Sequence, residues 1–173
     1  MILNRERKYK GYLNIDEITY KNKKGKEVKR EVMNRKNAVS SLVYDTNTKQ
    51  YIFVSQWRPA TSNNIIEIPA GVLDHGDEDP RNAIIREIEE EIGYKVDNIK
   101  LIDEGFVSPG GTSEMISIYF SEVSEKIGDG GGVENEDEEI DIIEMSRDEM
   151  LKTQFKDFKT IIAVQWARYN HNI

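Results

Sequence analysis

The sequence predicts a mixed α/β domain built of packed layers, and three observations lead to this prediction. Short apolar runs with the two-residue alternation of β-strands recur along most of the chain. Two segments, one central and one C-terminal, instead repeat their apolar residues at the helical period. With 173 residues, of which 38% are hydrophobic, the chain is long enough to enclose one sizeable core. Strands combined with two or three helices are typical of this class.

The chain opens with a predicted N-terminal β extension, residues 1–37, followed by the main domain, residues 38–173. Within the extension, strands are predicted at 12–20 and 28–33, where apolar and polar residues alternate. A lysine-rich polar turn at 21–26 separates them, and its lysines are more typical of a solvated turn than of a binding patch.

The main domain begins with a predicted hairpin and continues with further strands. Residues 38–44 and 51–57 are the two strands of the hairpin, and the polar turn at 45–49 joins them. Further strands are predicted at 65–69, 99–107, 115–123 and 140–145.

Two helices are predicted at the C-terminal end. Ser146 and Glu149 have the spacing of a capping box, so a short helix is expected to begin there. A longer helix follows, and its apolar residues are expected to face the core: Phe158, Ile161, Ile162, Trp166 and Tyr169.

The central helix has clear predicted ends. Asp79 can cap its first free N–H groups, Pro80 suits the first helical position, and Gly93 can close the far end. Its apolar stripe consists of Ala83, Ile84, Ile88 and Ile92.

Glutamates occupy another face of this helix. Glu87, Glu90 and Glu91 are spaced i, i+3 and i+4, and their like charges repel by roughly a few tenths of a kcal/mol per pair. A divalent cation bound by carboxylate oxygens removes that penalty. A solvated acidic face is the alternative interpretation of such a helix.

Residues 71–94 resemble the Nudix box, G-x5-E-x7-R-E-U-x-E-E-x-G-U, in which U is a bulky apolar residue. Residues 86–94 (REIEEEIGY) match the second half of the pattern at every fixed position. The first glutamate of the pattern falls on Glu78 when counted from the arginine and on Asp77 when counted from the first glycine, because the loop carries one extra residue. Which of the two takes its role is left open.

Further runs resemble the pyrophosphatases of this family that act on ADP-ribose and nucleotide sugars. QWRPA at 56–60 and EIPAG at 67–71 are similar to the run that precedes their box. SPGGTSE at 108–114 is similar to the loop whose glutamate contacts the terminal sugar, and GGGVE at 130–134 is similar to the branch that acts on GDP-mannose and related sugars.

The resemblance implies the Nudix α/β/α sandwich, with a mixed sheet between helices, and a Mg²⁺-dependent hydrolase that also accepts Mn²⁺. It implies cleavage of the pyrophosphate bond of a nucleoside diphosphate sugar, with ADP-ribose as the first choice and GDP-mannose and UDP-glucose next. It also implies a homodimer that exchanges its N-terminal strands. The base, the sugar, the phosphorus attacked and the number of metal ions stay open.

Box carboxylates are the expected metal ligands. Glu87 and Glu91 are the first choices, and Glu90 joins them as a ligand and as part of the catalytic set. The resemblance adds the backbone carbonyl of Ala70, while Arg86 is expected to pair with a box carboxylate and to orient it. Metal ions there neutralise the crowded charge of a pyrophosphate, polarise a phosphoryl oxygen and lower the pKa of bound water.

A general base is needed to take a proton from the attacking water. In the ADP-ribose branch a glutamate of the late acidic loop does this, and a second one reaches metal. Counting from the strand at residue 140 places them at Glu136 and Glu138, which we favour as base and ligand. Counting from the glycine run places them at Glu134 and Glu136.

Substrate contacts are expected from two runs. Arg58 offers a fork for a phosphate or a carboxylate, and Trp57 suits base stacking and core packing equally. Glu67 belongs to the run before the box, while Glu114 and Gly110 belong to the sugar-contacting loop.

Composition excludes several other classes. The chain has no cysteine, so disulfides, thiolate chemistry and cysteine-bound zinc are not available, which is compatible with the cytoplasm, where we expect the protein. No apolar run approaches the roughly 20 residues of a membrane span. A formal charge of −8 argues against nucleic acid as a partner.

Two alternative functions are weighed against this prediction. The first is another Nudix reaction, on a nucleoside triphosphate, a dinucleoside polyphosphate or an RNA cap. The sugar-contacting loop argues against the first two, and the acidic charge argues against a long RNA track. The second is a Nudix domain that senses a ligand without turnover, but such domains commonly lose box carboxylates, and all are present here.

Overall fold

The computed structural model describes residues 1–73, 79–132 and 139–171. The chain divides into two compact units: Met1–Asn37 with Gly105–Ile116, and Ala38–Glu104 with Ser117–Ile173. Within the described ranges it forms ten strands and three helices. In chain order they are β1 (Ile2–Lys10), β2 (Asn14–Lys21), β3 (Glu27–Met33), β4 (Ala38–Asp45), β5 (Gln50–Arg58), β6 (Asn63–Glu67), β7 (Ala70–Val72), α1 (Pro80–Ile92), β8 (Tyr94–Phe106), β9 (Met115–Lys126), β10 (Ile140–Met145), α2 (Arg147–Lys152) and α3 (Phe158–Asn170).

The first unit contains an antiparallel sheet in the order β1-β2-β3. Strands β2 and β3 agree with the predicted strands to within two residues, but β1 was not predicted. Every residue of β1 is exposed, so its sequence has no alternation between a buried and a solvated face. Strand β1 is held by its ladder with β2 and by an ion pair between Arg7 and the buried Asp16.

The second sheet has the order β10-β5-β4-β9-β8, with β6 paired to β5 and β7 paired to β4. Its predicted hairpin is confirmed, because β4 and β5 pair in antiparallel register from Val43–Ile52 to Asp45–Gln50. The Asp45 carboxylate accepts the backbone N–H of Asn47 at 2.8 Å and so closes the polar turn.

Helices cover both faces of this sheet. Helix α1 packs its apolar stripe on a buried cluster that includes Val39, Val43, Ile52 and Val54. Because successive strand residues point to opposite faces, Tyr51 and Phe53 face the other side, where the Phe53 ring stacks on Phe155 at 5.0 Å. Helix α3 contacts β4 there, and Trp166 packs on Phe120 at 5.2 Å. The predicted α/β/α layering is confirmed.

The predicted core face of α3 is wrong for Phe158, Ile162 and Tyr169, which are exposed, whereas Ile161 and Trp166 are partly buried. The helix buries four small or short side chains, Thr160, Ala163, Val164 and Ala167. Phe158 is 81% exposed and Tyr169 is 74% exposed. The sheet already presents large aromatic side chains on this face, so short side chains let the helix approach closely.

Several strand boundaries in the second sheet also differ from the prediction. Strand β8 starts at Tyr94, five residues before the predicted 99, because Tyr94 joins the core directly after the helix ends. Strand β6 starts at Asn63, two residues early, in register with Arg58. No helix in the described part of the chain is long and apolar enough to cross a membrane.

Candidate active site

The ends of α1 are fixed by local side-chain and backbone bonds, as predicted. The Asp79 carboxylate accepts the N–H of Arg81 at 2.8 Å, and Pro80 occupies the start of the helix. Gly93 has a left-handed φ of 74° and donates its N–H to the carbonyl of Glu89. These ends set the helix phase and therefore which side chains face the strands.

The three box glutamates differ in burial along the helix face. Glu91 is 6% exposed, the Glu87 side chain is 14% exposed and the Glu90 side chain is 34% exposed. Arg86 bridges two of them, with Nη2 at 2.8 Å from Glu87 Oε1 and Nη1 at 2.7 Å from Glu90 Oε2. The guanidinium therefore offsets the like-charge repulsion of the face.

Arg86 stays charged in this position. Burial lowers the pKa of the guanidinium, but the charges of Glu87 and Glu90 outweigh it and raise the pKa above its ordinary value. A permanent cation between two carboxylates holds both side chains in one arrangement.

Gly71, the first glycine of the box, leaves the space that the Glu87 carboxyl group fills. A Cβ atom at Gly71 would lie 2.0 Å from Glu87 Cδ and 2.1 Å from Oε1. Strand β7 holds Gly71 there by antiparallel pairing with Val39 of β4. A side chain at position 71 would therefore displace the Glu87 carboxyl group from this place.

Ala70, one residue earlier, contacts another box glutamate. Its backbone N–H donates to Glu91 Oε2 at 3.1 Å. The structure thus brings Ala70, Gly71, Glu87 and Glu91 together, where a strand passes one face of α1.

The carboxylate oxygens of Glu87 and Glu91, beside the backbone of Ala70 and Gly71, are of the chemical type that hard divalent cations prefer. Within 1–73, 79–132 and 139–171, however, no three acidic or histidine side chains converge as they do around a bound ion. The further ligand and the general base predicted on the late acidic loop lie outside these ranges. Glu134, Glu136 and Glu138, as well as Asp77 and Glu78, lie outside the described residues.

A glycine loop covers the C-terminal end of α1, a role that the sequence reasoning missed. Gly131 donates its N–H to the carbonyl of Glu91 at 2.8 Å, and Gly132 donates to that of Glu90 at 3.2 Å. Gly130 has a φ of 70°, and a Cβ atom there would lie 2.7 Å from the Glu91 carbonyl oxygen. The loop satisfies carbonyls that a helix end leaves unpaired, and it does so at two of the three box glutamates, Glu90 and Glu91.

The guanidinium group of Arg58 pairs with a carboxylate of the same chain, that of Glu67. Its Nε donates to Glu67 Oε1 at 2.7 Å, and its Nη2 donates to Glu67 Oε2 at 3.1 Å. Lys159, on the first turn of α3, also donates to Glu67 Oε2. Sequence reasoning missed Lys159, which lies 92 residues from Glu67.

Trp57 lies beside Arg58 on β5, opposite Asn64 of β6. The large apolar side chain of Trp57 is exposed, with 55% of the residue accessible to solvent. Core packing, one of the two interpretations left open by the sequence, therefore does not describe this ring.

Glu114 and Gly110 belong to the other compact unit. Glu114 Oε2 lies 3.4 Å from Arg35 Nε. The loop that carries both is joined to β3 by a parallel bridge between Met33 and Thr112, and Ser113 donates its N–H to the carbonyl of Met33. Open space surrounds Gly110, where an added Cβ atom would meet no atom within 4 Å.

The family of the chain follows from its comparison with known proteins. A family model described as NUDIX domain matches residues 34–164, well over half of the chain. The chain belongs to the Nudix family. The predicted box, residues 71–94, lies inside the matched range, and the predicted membership and hydrolase class are confirmed.

Relatives of this Nudix protein cover almost its whole length. The GDP-mannose pyrophosphatase of Escherichia coli (strain K12) is 36% identical over 174 residues, which cover 92% of this chain and 90% of that protein. The methanol dehydrogenase activator of Bacillus methanolicus is 36% identical over 160 residues, with 90% and 84% covered. A crystal structure of an ADP compounds hydrolase shares the fold, with a TM-score of 0.79 at 17% identity and 97% and 91% covered.

Proposed function

We propose that this Nudix protein hydrolyses the pyrophosphate bond of a nucleoside diphosphate sugar with Mg²⁺, releasing a nucleoside monophosphate and a sugar phosphate. The observation that carries the proposal is the joint placement of Glu87 and Glu91 against Ala70 and Gly71. Its substrate class is supported by the relative named GDP-mannose pyrophosphatase, 36% identical across nine tenths of the chain.

Glu87, Glu90, Glu91 and the carbonyl of Ala70 would hold the ions, and Mn²⁺ would serve as a substitute. Mg²⁺ bound by these oxygens would supply charge neutralisation of the pyrophosphate and activation of water. Arg86 would keep Glu87 and Glu90 oriented, since it already bridges both carboxylates.

The proton of the attacking water would be taken by a glutamate of the late acidic loop. Glu136 remains our choice as base and Glu138 as a further ligand, with Glu134 and Glu136 as the alternative pair. The proposal is supported by the bonds of Gly131 and Gly132 to the carbonyls of Glu91 and Glu90, because Val133 and the acidic loop follow directly in the sequence.

At the substrate end, the exposed ring of Trp57 would stack on the base, and Arg58 would face a phosphate or the nucleoside. Glu67 is covered by Arg58 and Lys159, so we propose that it acts by orienting Arg58. Glu114 would accept hydrogen bonds from sugar hydroxyls, and Gly110 of the same loop would leave room for the sugar.

Two nucleoside diphosphate sugars, ADP-ribose and GDP-mannose, are the main candidate substrates. ADP-ribose is the first choice of the sequence pattern, whereas the name of the Escherichia coli relative points to GDP-mannose. We expect GDP-mannose to be turned over fastest, with ADP-ribose second and UDP-glucose third.

A homodimer with exchanged N-terminal strands remains part of the proposal. It is supported by β1, which exposes Ile2 and Tyr9 to solvent at 62% and 58%. Light scattering on the full chain should give twice the mass of 20.0 kDa, and a monomer at micromolar concentration would contradict this part.

Product analysis tests the reaction. GDP-mannose incubated with the enzyme and Mg²⁺ should yield GMP and mannose 1-phosphate in equal amounts. Release of GDP or of free mannose would contradict attack on the pyrophosphate bridge. Binding of GDP-mannose without any product, unchanged by Glu87→Gln, would favour the ligand-sensing alternative.

A further inference from the structure

The first turn of α3 holds the segment that leads into the box. The Lys159 ammonium contacts Glu67 Oε2 and lies 3.1 Å from Asp157 Oδ2. The hydroxyl of Thr160, which is fully buried, accepts the backbone N–H of Ile68 at 2.9 Å. Lys159 and Thr160 of α3 therefore hold Glu67 and Ile68, which lie just before Ala70 in the chain.

Glu67 is buried, and its ionised form is favoured because two cations, Arg58 and Lys159, contact the carboxylate. The residue is 5% exposed, and Lys159 has a side-chain exposure of 13%, so both are largely removed from water. Burial raises the pKa of Glu67, but the bond from Arg58 and the charge of Lys159 outweigh this and lower the pKa below its ordinary value.

The two cations meet the carboxylate in different ways. Arg58 donates to both oxygens from the more solvated side, since 41% of its side chain is exposed. Lys159 meets only Oε2 and is itself fixed by Asp157, the cap of α3. The lysine therefore holds one oxygen of the carboxylate with which the Arg58 fork pairs.

We propose that Lys159 is a positioning residue for substrate binding, which holds the Glu67 carboxylate and, through it, the orientation of Arg58. This inference rests on the proposed function, in which Arg58 faces the nucleotide. Lys159 itself does not touch the substrate in this account. Its effect is transmitted by one carboxylate to the guanidinium 2.7 Å away.

Steady-state kinetics with GDP-mannose test this role. Lys159→Met should raise KM about tenfold, equivalent to about 1.4 kcal/mol, while kcat changes less than about threefold, because the box carboxylates on α1 remain in place. Lys159→Arg should restore most of the loss, since a cation returns to Glu67. Lys156→Met, which removes an exposed lysine of the same segment, is the matched control and should keep the wild-type KM.

A wild-type KM in Lys159→Met, or a fall in kcat at unchanged KM, would overturn the positioning role. A double-mutant cycle of thermal unfolding with Lys159→Met and Glu67→Gln measures the contact without turnover. The two losses in Tm should not add, and additive losses would overturn the coupling. If the wild type turns over no nucleoside diphosphate sugar, the proposed function fails and takes the substrate role of Lys159 with it, whereas the cycle still decides whether Lys159 holds Glu67.

Discussion

The backbone amide of Ala70 donates to the Glu91 carboxylate at 3.1 Å, so the strand before the box loop is tied directly to the helix after it. Glu87 reaches the same strand at Gly71, where its carboxyl group fills the place of a side chain. Two of the three box glutamates are therefore positioned by one short strand, β7, which is itself paired with β4 at the centre of the sheet.

Gly71→Ala is expected to slow the enzyme strongly without unfolding it. The added Cβ would lie 2.0 Å from Glu87 Cδ, and the flexible carboxyl end must move away. A displacement of about 1 Å costs on the order of 100-fold in rate. Initial rates and the Tm check this, with Gly105→Ala as the control because no atom lies within 4 Å of its added Cβ. A wild-type rate in Gly71→Ala would contradict the placement of Glu87.

Glu87→Gln is expected to lower kcat by about 100-fold or more, the scale on which loss of one transition-state contact is felt. The amide keeps the shape of the side chain but loses the charge that would bind the ion. Glu89→Gln makes the same chemical change on the exposed side of α1 and should leave kcat as it is. Equal losses in the two variants would mean that helix charge, rather than a site at Glu87, sets the rate.

Glu67→Gln should reduce stability near neutral pH by about 1–2 kcal/mol, a value reduced for the partial exposure of Arg58. Because the folded pKa of Glu67 is lowered, its contribution is present above the unfolded pKa of about 4.3 and is lost as pH falls through the folded value. The stabilities of wild type and variant in urea should therefore converge as the pH falls below the unfolded pKa and through the lower folded pKa. A constant difference from pH 7 to pH 3 would argue against an ionised Glu67 in the fold.

His171 should make stability fall on mild acidification. Its Nδ1 lies 2.6 Å from the hydroxyl of the buried Tyr51, and its ring packs on Tyr44 at 4.8 Å. Burial lowers the pKa of His171, a shift that Glu122 opposes. The unfolded chain then binds the proton more readily, so stability is complete above about pH 6.5 and declines below it.

Denaturant midpoints between pH 7.5 and 5.5 check the role of His171. The wild type should lose more stability over this window than His171→Gln, which cannot titrate. Parallel pH profiles for the two proteins would show that the imidazole titrates alike in the folded and unfolded chains.

Features encoded by neighbouring residues could be predicted from the sequence. The ends of α1 follow from Asp79, Pro80 and Gly93, each of which acts within one turn of its own position. The capping box of Ser146 and Glu149 is confirmed for the same reason. Side-chain spacing within a helix or hairpin is a local property, so it can be read from neighbouring residues without knowledge of tertiary contacts.

Features that depend on distant packing could not be predicted in this way. Strand β1 has no buried face, and α3 buries short side chains because of what the sheet presents to it. The contacts of Lys159 with Glu67 and of Gly131 with Glu91 join residues far apart in sequence. The general base predicted at Glu136 lies outside the described residues, so its assignment rests on the sequence pattern and on the glycine run that precedes the acidic loop.

The most direct test of the account is the release of phosphate-containing products from GDP-mannose, ADP-ribose and UDP-glucose, measured side by side with Mg²⁺ and with EDTA. We expect one sugar nucleotide, GDP-mannose first, to be hydrolysed well above the others and to be spared completely when EDTA removes the metal. Hydrolysis that continues in EDTA would contradict the metal role of Glu87 and its neighbours. No turnover of any of the three would contradict the nucleoside diphosphate sugar assignment itself.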